Sequence, residues 1–124
     1  MNYLIMILII IGLAAVDFLT GWMKAYIKND VSSSKMRKGG VNKLCEIVVM
    51  CTACGLDIGI GFLGDYYQAA ELAGITGAIA AVAVFGYIAV MELVSILENY
   101  AEINPDAAWV GKLIQRLRNF DKKN

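Results

Sequence analysis

At 124 residues the chain has room for one small domain, yet 59% of its residues are hydrophobic and only 18% are charged, against about 45–50% and ~25% in soluble globular chains. A domain of this size should carry more polar surface, so the surplus apolar surface needs lipid as its solvent. Eleven basic and eleven acidic residues leave no net field for nucleic acid, and a single proline and no histidine exclude a proline-rich linker and a histidine-ligated metal site.

The first apolar stretch predicts a helix near 3–25, interrupted only by Asp17. A cleaved signal peptide would begin with basic residues, but the first base here is Lys24, beyond the apolar run. Residues 24–43 then carry Lys24, Lys28, Lys35, Arg37, Lys38 and Lys43 against one acid, Asp30; Ser32–Ser34 and Gly39-Gly40 mark this segment as a polar, turn-prone loop. A second helix is predicted near 44–64, with Glu46 and Asp57 inside it. A third is predicted near 70–99, where Leu72 to Met91 holds no charge. Each is long enough, at ~1.5 Å per residue, to cross a ~30 Å hydrocarbon core.

Charge sets the expected orientation. The connection 65–71 has two acids and no base, and every base of the chain lies either in 24–43 or after residue 111. The positive-inside rule places both basic regions in the cytoplasm, so the N-terminus and the 65–71 connection face outside and the C-terminus inside. Asn104-Pro105 ends the third helix, dividing a membrane domain, 1–104, from a basic tail, 105–124. In the tail Trp109, Val110, Leu113, Ile114, Leu117 and Phe120 recur at helical spacing opposite Lys112, Gln115, Arg116 and Arg118. This short cytoplasmic amphipathic helix could lie on the inner leaflet, with Trp109 at the interface, or pack on a neighbouring subunit. The fold class is therefore all-α: an integral membrane protein with three spans.

Ionisable residues inside spans are candidates for function, since each costs about 2.5–3.5 kcal/mol to insert. Asp17, Thr20, Gly21, Lys24 and Lys28 share one face of the first helix; Lys43, Glu46, Met50, Asp57 and Gly61 share one face of the second; Glu92, Ser95 and Asn99 share one face of the third. Lipid cannot solvate these stripes, so they must turn toward one another, toward other subunits or toward water. The plainer reading is that Asp17, Glu46 and Glu92 pair with Lys24, Lys43 or polar partners and hold a bundle together. Lys43 is nearest in sequence to Glu46. Asp57 has no base within two turns, which makes it the strongest candidate for facing water.

Gly55 and Gly59, with Gly74, Gly77, Ala78 and Ala81, have the small-xxx-small spacing that lets membrane helices approach closely. Cys51 and Cys54 form a CxxC without histidine or a second pair, and with Cys45 they make an odd number; they read as small buried hydrophobes. No metal, cofactor or catalytic motif is expected.

Residues 17–44, DFLTGWMKAYIKNDVSSSKMRKGGVNKL, and 92–104, ELVSILENYAEIN, resemble in order the two signatures of the toxin-secretion/phage-lysis holin family. The likeness runs from about residue 15 to 120. It implies a phage-encoded, non-catalytic protein of the bacterial cytoplasmic membrane. Such a protein forms homo-oligomers and opens lesions at a set time, for an endolysin or a secreted toxin. Asp17, Glu92, Glu98 and Asn99 fall on signature positions. From the residues alone, a small ion-coupled transporter using Asp57 or Asp17, or an accessory membrane subunit, stays open beside this reading.

Overall fold

The computed structural model describes residues 2–68 and 70–123, with side chains throughout except at 70, 72–79 and 121–123. Four helices follow in order: α1 Tyr3–Ile27, α2 Ser33–Tyr66, α3 Ala70–Ile103 and α4 Ala108–Lys123. The first three are long and apolar enough to cross a membrane, and no strand occurs among the described residues.

Local chemistry sets the boundaries. Asn2 caps α1 by accepting from the Ile5 N–H, and Ser32 caps α2 by accepting from the Lys35 N–H. α1 stops in a Schellman turn: Asn29 takes a left-handed φ of 55°, its N–H bonds the Tyr26 carbonyl, and the Asp30 N–H bonds the Ala25 carbonyl at 2.8 Å. α3 ends before Asn104-Pro105 as expected.

The 24–43 connection is not a single loop. Only residues 28–32 link the first two helices, and α2 begins at Ser33 rather than near 44. The Ser32 cap starts it, and Gly39 and Gly40 stay helical, lying beside the Phe18 ring of α1. Lys35, Arg37, Lys38 and Lys43 thus stand on the first three turns of a helix.

α2 runs antiparallel to both neighbours, so α1 and α3 are parallel. Ile10, Met50, Ala53, Cys54 and Ile88 form the apolar core where the three meet, with Tyr3, Ile47, Val84 and Phe85 packed around it. The outside is apolar as well: Leu4, Leu8, Leu44, Val48 and Phe62 are exposed, Phe62 to 71%. Within the spans, by contrast, Asp17, Asp57 and Glu92 are buried. That inversion suits a lipid-embedded bundle.

α4 finds a partner that its sequence did not suggest. It folds back on the chain's own α3, burying Val110 and Ile114. Leu117 and Arg118 reach a hollow formed with Val90, Val94 and Glu98, and Arg118 pairs with Glu98.

Candidate functional site

The three polar stripes meet in one place. Lys43 of α2 reaches between α1 and α3 and donates to Asp17 Oδ2 and to both oxygens of Glu92, at 2.7 and 2.9 Å. Ser95 Oγ donates to Asp17 Oδ1 at 2.6 Å. Asn99 Nδ2 donates to the same oxygen and to Thr20 Oγ1, each at 3.0 Å. Asp17 and Glu92 are only 5% and 2% exposed, so the ammonium and these donors replace the water both carboxylates gave up. The seam continues along α1 and α3, where Lys28 and Lys24 hold Glu102 at 2.7 and 3.7 Å.

Helical periodicity explains the arrangement. Asp17, Thr20, Lys24 and Lys28 recur on one face of α1, and Glu92, Ser95, Asn99 and Glu102 on one face of α3. In parallel helices such stripes stay in step, so successive partners match up the seam. Lys43 finds Asp17 and Glu92 across the helices, whereas its sequence neighbour Glu46 lies beside Glu92 with Oε2 buried and without a hydrogen bond.

Asp57 falls outside this network. It is 4% exposed, and its Oδ2 makes no hydrogen bond among the described residues. Instead of facing water, it points into the bundle on the same α2 face as Lys43, Met50, Ala53 and Cys54. The opposite α2 face carries Gly55 and Gly59, where a Cβ would meet nothing within 4 Å among the described residues. Ala81 is buried, while the side-chain surroundings of Gly74, Gly77 and Ala78 lie outside the description. Cys54 is buried, and Cys45 and Cys51 are exposed.

A cavity of about 570 Å³ opens beside the cluster, with Asp17, Lys43 and Glu46 at its inner end and Lys28, Asp30 and Lys35 at its mouth. Trp22 stacks on Tyr26, with ring centroids 5.6 Å apart, and Tyr100 lies 6.2 Å from Trp109. These rings gather at the same end of the bundle, as aromatic residues do at membrane–water interfaces. Asp17 lies five residues inward of Trp22, about 8 Å at the helical rise. At the mouth Lys35 donates to Asp30 Oδ2 at 2.7 Å. That hydrogen bond and its charge hold the Asp30 carboxyl below the usual carboxylate range. Because the folded value is the lower one, the pair persists at neutral pH and is lost only as pH falls through it.

Glu102, Glu98 and Arg118 were not singled out from the sequence as pairing residues. Glu102 had a signal, three residues beyond Asn99 on the same face; the Arg118 pairing depends on how α4 folds back and had none. No group of three metal-ligating side chains occurs among the described residues. Carboxylates shared around one lysine tie the three helices to one another.

No curated protein and no solved structure matches the chain. The family model for the bacteriophage holin family matches residues 1–121, spanning both signature segments, the first three helices and most of α4. On that match the chain belongs to the bacteriophage holin family.

Proposed function

We propose that this holin accumulates in the bacterial cytoplasmic membrane as closed three-helix units, with its N-terminus outside and its C-terminus in the cytoplasm. Copies then assemble at a set time into lesions that give an endolysin access to the cell wall, or release a toxin. The observation that carries this reading is the inward polar seam closed by Lys43. A chain that turns Asp17, Lys43 and Glu92 on one another presents lipid with an apolar surface and can accumulate without leaking. The same Asp17, Glu92, Ser95 and Asn99 groups, turned outward in an assembly, supply the polar lining a water-filled lesion needs. Closed and open forms therefore compete for one set of side chains.

Leakage of a small dye and of a cytoplasmic protein after induction tests the proposal. Abrupt release of both, at a reproducible time, is expected. Ion-coupled uptake without protein release would mark a transporter instead. Neither leakage nor uptake would leave an accessory subunit.

A further inference from the structure

We infer that α4 is an arm that binds an anionic lipid leaflet while held to the chain by α3. Val110, Ile114 and Leu117, at i, i+4 and i+7, form the line turned to α3. A second apolar line runs beside it: Trp109 and Phe120, each 59% exposed, with Leu113 between them at 37%. These residues recur at i, i+4 and i+11, so they share one face.

Arg116 falls on that same face, and Lys112 lies on its flank. Both are exposed. Arg118, on the far side, is taken up by Glu98. From Ala107 to Phe120 the chain contains no acid. An aromatic and aliphatic line bordered by bases is complementary to acyl-chain edges beside negative headgroups.

The first turn of α4 is placed to match. Trp109 stands next to Tyr100, at the bundle end that also carries Trp22 and Tyr26, where headgroups meet the spans. Arg37 and Lys38, exposed on the first turns of α2, bring further positive charge to this end. A second copy of the chain is the rival occupant, but it would have to place apolar surface and acids together there. A leaflet offers both everywhere.

The inference requires membrane insertion, not lesion formation, so a chain that never permeabilised cells could still satisfy it. The test uses the full chain in vesicles of phosphatidylcholine alone or mixed with phosphatidylglycerol. Trypsin cleavage after Arg118 is followed from outside, with Trp109 emission read in the Trp22→Phe chain. Phosphatidylglycerol should slow cleavage by about tenfold or more, from roughly 1 kcal/mol for each basic residue near the surface, and shift Trp109 emission to the blue. Lys112→Gln with Arg116→Gln, both at exposed positions, should remove most of each effect. Equal cleavage and emission in the two lipids would overturn the inference. So would protection that follows the protein-to-lipid ratio and ignores lipid charge, which would identify a second copy as the occupant.

Discussion

Replacing Lys43 by methionine keeps an unbranched side chain, one atom shorter, and removes its charge, leaving Asp17 and Glu92 facing each other with no cation between them. Both carboxyls are almost wholly buried. Removing one partner of a buried ion pair costs about 3–5 kcal/mol. A penalty of that order lowers the ratio of closed to open chains by roughly a thousandfold (1.4 kcal/mol for each factor of ten). Lys43→Met should therefore permeabilise cells much earlier than the wild type at matched protein level, read as the time from induction to loss of membrane potential. The neutral set Asp17→Asn, Lys43→Met, Glu92→Gln removes the stranded charges along with the cation and should recover most of the delay. Wild-type timing for Lys43→Met would refute the reasoning. A triple variant as early as the single one would show that Lys43 acts through something other than these two acids.

Asp57→Asn relieves a buried carboxyl that has an unbonded oxygen, so it should stabilise the closed chain and delay permeabilisation. Asp57→Leu should delay it further, by up to the roughly 2.5–3.5 kcal/mol an aspartate costs at mid-span; wild-type schedules in both would make Asp57 a packing residue. Removing Lys35, Arg37 and Lys38 together weakens the orientation signal at the start of α2 and should give mixed-topology or delayed accumulation, scored by protease protection. Reporter fusions should place residue 68 outside and residues 36 and 118 inside, and an external residue 118 would refute the proposed topology.

The three spans and the faces of their polar stripes were legible because both rest on local periodicity. An apolar run of span length and a charge recurring every three or four residues can be counted along the chain. Which stripes meet cannot. Sequence proximity assigned Lys43 to Glu46, one turn away, but a lysine side chain reaches across a helix interface as easily as along its own surface, and Asp17 and Glu92 are there. The start of α2 was hidden for another reason. Ser32–Ser34 and Gly39-Gly40 are turn formers by propensity, yet one serine serves as the cap and the glycines are kept helical by packing against Phe18. Asp57 looked poised for water because no base lies near it on α2, but the bundle encloses it. For α4, the helix and its amphipathic pattern were readable, while its docking on α3 depends on the turn at Asn104-Pro105 and left no mark in the spacing.

The unbroken run of α2 from Ser33 to Tyr66 has a mechanical consequence. At 1.5 Å per residue it is a rod of about 51 Å, longer than the bilayer core is thick, with exposed bases Lys35, Arg37 and Lys38 at its N-terminal end and the Lys43 ammonium about one and a half to two turns further in. A pull or tilt applied to that end is delivered to Lys43 by leverage, with no relay of side chains in between. The weakest point of the rod is Gly39-Gly40, where each glycine gives up about 1 kcal/mol of helix propensity relative to alanine. A Cβ at either position would sit 3.9–4.0 Å from the Phe18 ring, an ordinary contact. Steric exclusion therefore does not account for the two glycines. What the two glycines do lower is the intrinsic helix propensity just outside the Lys43 cluster, so this part of the rod owes its helical form to packing more than to its own residues.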